Sequence, residues 1–329
     1  MNMAKDFFDA AFWADRPVGH SFVEKESRCK QLFEMALRHF GPFFHLHTPE
    51  KHPVIFRNPK DYRVAMTIVA MCAHDCPDVK IITFELMSNH VHFVLCGTKE
   101  ACRHFFAMFK LRLKRYFERR KMAVDLSGFT EDFVAIETLE SLRNQIGYTN
   151  RNNYLVDPSH TPFSYPYGAS NCYFLEVNKK RVDRRFGQLT AREKRALLHT
   201  HETDYPNDYA IIDGYVSPAS FCAVSFGEHI FRDARHYFFK VSREIEGYKE
   251  VAEALGESAY YTDDELNAIL YKICKESYNG QRATLLPQND KLNLARTLHY
   301  DYNADNEKIA RLLKLAPSLI DSMFPTRKR

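Results

Sequence analysis

The sequence predicts an α+β chain: a ferredoxin-like antiparallel sheet with helices on one face, followed by a mostly helical C-terminal region. Two observations carry that prediction. Between residues 41 and 154, short β-branched and aromatic runs alternate with capped helical segments in the order β-α-β-β-α-β-α. From about residue 262 the apolar spacing becomes helical throughout.

Each element has its own local reason. GPFFHLHT (41–48) has strand composition, and NPKDYRVAMTIVAMCAHDC (58–76) is a helix with Asn58 as its cap before Pro59. VKIITFELM (79–87) and HVHFVLCG (90–97) are apolar strands separated by Ser88–Asn89, a hairpin signal. TKEACRHFFAMFKLRLKRYFERRK (98–121) is a long helix opened by Thr98. FVAIE (133–137) is a further strand, and TLESLRNQIGYTNRNNY (138–154) a helix capped by Thr138. VDPSHTPFSYPYGASNCYF (156–174), rich in proline and aromatics, reads as an ordered loop. LTAREKRALLHTH (189–201) is helical, and IIDGYVSP (211–218) is a short strand or a turn. The terminal helices are TDDELNAILYKICKESY, KLNLARTLHYDY and NEKIARLLKLAPSLIDSMFP. The expected domains are an N-terminal helical extension (1–40), the sheet domain (41–175), a connecting region (176–261) and a helical, helix-turn-helix-like module (262–329).

Composition limits the classes. The chain has 329 residues, 45% of them hydrophobic, and no apolar run of membrane-spanning length. The N-terminal MNMAKDFFDAAFWADRP lacks a basic-then-apolar signal pattern. Eight cysteines are scattered, mostly in apolar segments, which is reduced, cytoplasmic usage. The net charge of +4 permits a nucleic-acid partner only through a local basic surface.

The stretch FELMSNHVHFVLCG (84–97) places His90 and His92 one residue apart in an apolar strand. Side chains alternate along a strand, so both imidazoles share a face. Such a pair is a metal chelate or, equally, two core histidines satisfied by hydrogen bonds. HLH at 45–47 has the same H-apolar-H form, and the tripeptide alone is a weak signal.

MSNHVHFVL (87–95) resembles the M-x-N-H-V-H-hydrophobic signature of the single-tyrosine HUH transposases, especially their REP-associated branch. HLHTPEKHPVIFRNPKDY (45–62) is similar to that family's first strand and the loop into its first helix. IGYTNRNNYLVDP (146–158) resembles its tyrosine motif, Y-I-H-x-N-P, with Thr149, Asn150 and Asn153 departing from the pattern. The likeness spans about residues 40–175. It implies a metal-dependent enzyme that nicks and joins single-stranded or hairpin DNA through a 5′-phosphotyrosine. His90, His92 and Asn152 would be the metal ligands, Tyr148 the nucleophile, and Mg²⁺ or Mn²⁺ the cofactor. Asn152 follows Tyr148 by four residues, which puts both on one helix face.

DNA contacts are expected from Arg151, one turn from Tyr148, and from Lys110, Arg112, Lys114 and Arg115, between the docking residues Leu111, Leu113 and Phe117. One expectation conflicts with the site. Leu139, Leu142 and Ile146 form an apolar stripe, and Tyr148 lies on roughly the opposite side of the helix. If the stripe packs on the sheet, Tyr148 turns away from His90 and His92. Either the helix approaches from an edge, in a monomer, or Tyr148 serves another chain's metal site in a homodimer. Ile309, Ala310, Leu312 and Leu313 face inward in a helix-turn-helix pattern. That module offers no base-reading cation beyond its basic tail. The alternatives are a non-catalytic DNA-hairpin-binding descendant and a metallohydrolase using the paired histidines.

Overall fold

Ser21 opens helix α1 (Phe22–Phe40) with a reciprocal cap: its hydroxyl accepts from the Glu24 backbone, and the Glu24 carboxylate accepts from Ser21 N–H. In the computed structural model, residues 7–8, 21–49, 52–156, 164–243, 263–300, 302, 304 and 306–325 are described. Most of the N-terminal stretch through residue 20, part of the 156–174 loop and the basic tail at 327–329 lie outside them.

After α1 come β1 (Phe43–His47), α2 (Pro59–Asp75), β2 (Lys80–Leu86), β3 (Val91–Cys96), α3 (Lys99–Arg119), β4 (Asp132–Ile136) and α4 (Leu139–Val156). Asn58 caps α2 by accepting from Lys60 and Asp61 N–H, with Pro59 in the first turn, and Thr98 caps α3. Thr138 accepts from Ser141 N–H at the start of α4. A tight turn joins β2 to β3, where Met87 N–H donates to His90 O. The four strands make one antiparallel sheet in the order β2-β3-β1-β4.

The two faces of this sheet differ. Leu46, Phe84, Val91, Phe93 and Leu95 point to one face, where Phe93 meets Phe105 and Phe109 of α3, and α2 packs beside α3. α2 is buried almost all round because a second sheet lies over its far side. That sheet is β5 (Arg184–Arg185), β6 (Ala210–Ile212) and β7 (Tyr215–Val216), packed with α6 (Ala191–Leu198) through Met71, Phe186, Leu198 and Val216. Asp213 and Gly214, both at positive φ, turn β6 into β7, as an Asp-Gly hairpin requires. The other face of the main sheet is covered by α4, so helices flank the sheet on both sides. The expected single helical face applies to α2 and α3 alone.

Residues beyond the 41–175 span contribute to this core: Phe33 of α1 stacks on Phe43, and Phe226 of α7 (Val224–His229) and Tyr237 of α8 (Ala234–Arg243) join the same cluster. α5 (Glu176–Lys180) lies at the surface. These elements belong to one compact unit, residues 1–153 with 160–245. The segment 167–169 pairs along the edge of β2, and its approach is so close that a Cβ on Gly168 would lie 2.7 Å from Phe84 O.

The second unit, residues 154–159 with 246–329, has its own core. Leu266 and Leu270 of α9 (Asp263–Ser277) and Leu294 and Leu298 of α10 (Gln288–Tyr300) surround Ile309 and Leu313 of α11 (Asn306–Leu313) and Ile320 of α12 (Pro317–Met323). The four inward positions expected on α11 are all buried, and Lys314 at positive φ makes the turn into α12. Among the described residues no helix is long and apolar enough to cross a membrane.

Candidate functional site

The site is built where the polar face of the main sheet meets α4. In the antiparallel register His47 lies opposite His92, His45 opposite Val94, and Glu85 opposite His92 from the other side. Directly opposed residues share a face, so His45, His47, Thr83, Glu85 and His92 form one buried polar layer. α4 answers it with a polar stripe, Gln145, Tyr148, Thr149 and Asn152, whose spacing of three, four and seven residues lies along one helix side.

The contacts form a chain. His45 Nδ1 meets Gln145 Oε1, His45 Nε2 lies 3.0 Å from His92 Nδ1, and His92 Nε2 lies 2.5 Å from Asn152 Nδ2. Tyr148 sits across this chain, its ring 5.9 Å from that of His45 and 5.6 Å from that of His92. The His90 ring is 4.9 Å from His92 and nearly perpendicular to it, with Nδ1 held 2.8 Å from Asn89 Oδ1. Beside the chain, the Thr83 hydroxyl donates to Asn150, whose amide donates to Tyr237 at 2.9 Å. Burial pushes the His92 imidazolium well below its ordinary range, and the nearby His90, His45 and His47 push the same way. His92 is therefore a neutral imidazole, the form that binds a metal.

His90, His92, Tyr148 and Asn152 thus stand together in one chain; Arg151, half-buried, precedes Asn152 on the same helix. The expected conflict on α4 does not arise. Tyr148 is 3% exposed, yet Leu142 and Ile146 are buried too. The helix lies between the sheet and elements from residues 164–243, so its polar stripe can meet the polar face while its apolar stripe packs elsewhere in the core. Arg143, 1% exposed, fixes that placement: its guanidinium grips Glu26 of α1 at 2.7 and 3.0 Å and donates to Ile230 O at 2.8 Å.

The cations of α3 are not part of this assembly. α3 packs on the apolar face, across the sheet from Tyr148. Arg112 is tied to Asp75, its guanidinium also donating to the Tyr205 hydroxyl, and this geometry alone gives it no phosphate role. Lys114 and Arg115 are exposed and Lys110 is half-buried. Leu111, expected to dock the helix, is 40% exposed; Phe105, Phe106 and Phe109 dock it instead.

The divalent ion implied by the resemblance has a compatible donor set. The bond from His90 Nδ1 to Asn89 leaves Nε2 as the lone-pair nitrogen. The His92 Nε2 lone pair, by contrast, is engaged by the Asn152 amide nitrogen, and it serves a metal together with Asn152 Oδ1 only once that amide turns over. Among the described residues no three His, Cys, Asp or Glu side chains converge as a metal-holding group. Two imidazoles and one carboxamide make an open set that phosphate oxygens and water can complete, not a closed cage.

In the sequence His45 and His47 stand out only as a weak H-apolar-H tripeptide, Asn150 only as a departure from the tyrosine motif, and Gln145 has no role. The available signal was the second H-x-H, at 45–47. In the predicted β-α-β-β order its strand is a neighbour of the strand that carries His92. No family model, curated protein or solved structure matches the chain.

Proposed function

We propose that this protein is a metal-dependent nicking and strand-transfer enzyme for single-stranded or hairpin DNA, of the single-tyrosine HUH type. The observation that carries the reading is the Tyr148 ring 5.6 Å from His92, with Asn152 against the same imidazole. The strand order β2-β3-β1-β4 supports it, being the order a β-α-β-β-α-β chain takes in a ferredoxin-like sheet.

His90, His92 and Asn152 would hold Mg²⁺ or Mn²⁺, which when bound supplies positive charge to the scissile phosphate. The Tyr148 oxygen attacks phosphorus, giving up its proton; the bond from phosphorus to the 3′ oxygen breaks, and that oxygen leaves as a 3′-OH. The DNA is then held as a 5′-phosphotyrosine. Attack by a second 3′-OH reverses the exchange, rejoins a strand and returns the phenol, with no nucleotide triphosphate consumed. Arg151, one turn from Tyr148, is the phosphate-orienting cation.

The test is covalent capture. Incubation with labelled hairpin DNA and Mg²⁺ or Mn²⁺ is expected to give an adduct that survives denaturation and maps to Tyr148 by mass spectrometry. Tyr148→Phe keeps DNA affinity and loses the adduct. An adduct on Tyr165 or Tyr167, or one that persists in Tyr148→Phe, would overturn the assignment. The second reading, a DNA-hairpin binder without cleavage, is favoured by the burial of Tyr148, since DNA reaches that oxygen only after the site opens. Tight hairpin binding with no adduct under any divalent ion selects it.

A further inference from the structure

We propose that His45, anchored by Gln145, is a positioning residue that fixes His92 as its Nδ1–H tautomer and turns the Nε2 lone pair toward Asn152. A neutral imidazole has one N–H and one lone pair, so a chain of two imidazoles between two amides can run in only two directions. In one, Asn152 Nδ2–H donates to His92 Nε2, His92 Nδ1–H donates to His45 Nε2, and His45 Nδ1–H donates to Gln145 Oε1. The reverse direction requires both terminal amides to turn over. As they stand, Gln145 presents an oxygen and Asn152 a nitrogen, and the two ends agree on the first direction. All four side chains are buried, so water does not compete for these bonds.

The consequence is geometric. Without an acceptor beside Nδ1, the His92 proton could sit on either nitrogen and the ring could rotate. With His45 there, Nε2 keeps its lone pair on the side of Asn152. Gln145 matters because its carbonyl ends the chain; β1 and α4, which are far apart in sequence, thereby set one tautomer on β3. That the lone pair passes from the Asn152 N–H to a metal, with the amide turning its oxygen toward the ion, rests on the function proposed above; the tautomer does not.

The two are separable by experiment. In full-length protein labelled with ¹⁵N-histidine, NMR distinguishes protonated from lone-pair ring nitrogens. His92 is expected as the Nδ1–H form without metal. His45→Phe should release it to a mixture, whereas His45→Gln, which restores an acceptor, should keep it. Mn²⁺ should broaden the His92 signals, with binding about 10–100-fold weaker in His45→Phe. His92 found as Nε2–H in the unmodified protein, or unchanged in His45→Phe, overturns the proposal even if Mn²⁺ binds. A fixed tautomer that His45→Phe releases, with no Mn²⁺ effect on His92, supports the positioning role and removes the metal reading instead.

Discussion

His92 and Phe93 are neighbours on one strand and face opposite environments. Phe93 points into a stack of aromatic rings from Phe84, Phe105 and Phe109. His92, equally inaccessible, points into imidazoles, amides and a phenol. Burying the first is favourable in itself. Burying the second is unfavourable unless each polar atom is satisfied, and an apolar face of the same shape would be at least as stable. The proposed function would give such a layer, under a helix whose matching stripe is also polar, a use beyond folding.

The contrast predicts opposite failures from adjacent substitutions. His92→Ala is expected to reduce DNA cleavage at least on the order of 10²-fold, as when a preorganised charge-stabilising group is lost, while the protein still unfolds cooperatively. Phe93→Ala is expected to lower stability by about 3–5 kcal/mol through the cavity it leaves, with cleavage retained by the fraction that stays folded. Urea unfolding and adduct formation, measured on both variants, check this. If His92→Ala kept full cleavage, the polar face would be structural only.

Much of the apolar side was legible in the sequence, and the polar side less so, for a physical reason. Caps such as Asn58 and Thr98, the strand alternation and the turn at 87–90 are local, and the chain states them within a few residues. The pairing of His47 with His92 depends on two strands more than forty residues apart coming into register. The placement of α4, and with it Tyr148, depends on bonds from Arg143 to Glu26 and Ile230 O and from Asn150 to Tyr237, partners that lie outside the 41–175 span. Periodicity alone made Leu142 and Ile146 the packing face of α4. It could not show that Arg143 and Glu26 would turn the polar stripe inward.

That clamp gives a prediction about acid. The Arg143 guanidinium bonded to Glu26 holds its carboxyl below the ordinary value of 4.5, with burial opposing and the Arg232 contact assisting. The stability Glu26 contributes is therefore complete above about pH 4.5 and is lost as pH falls through its lowered native value. Burial, and then Arg232, lower His236 from 6.5 to about 4, so its neutral state contributes stability above 6.5 that is lost as pH falls toward 4. Unfolding by urea should show stability declining from pH 6.5 downward, at no more than about 1.4 kcal/mol per pH unit for each group. Glu26→Gln is expected to cost about 2 kcal/mol at pH 7, because it leaves the buried Arg143 charge with only the more exposed Glu140, at 3.5 Å, as counter-ion. It should flatten only the part of the decline below pH 4.5. An undiminished decline there would assign the acid sensitivity to other groups.

The smallest effect is expected on the side of the sheet where the sequence is most basic. Lys114 and Arg115 are exposed on α3, and Lys114 already has Glu118 one turn away at 3.8 Å. Reversing both to Glu should change stability by no more than about 0.5 kcal/mol, as for surface positions generally. If DNA runs along the polar face past Arg151, the salt dependence of single-strand binding should also stay unchanged. Arg151→Gln, by contrast, should lower the slope of log affinity against log salt by about 0.7, the value for one phosphate contact on a single strand. A drop of about 1.4 in the Lys114/Arg115 variant, twice that value, would mean that the strand wraps around the edge of the sheet onto α3. The division between an apolar face for folding and a polar face for the proposed chemistry would then hold for the side chains in the core but not for the path of the DNA.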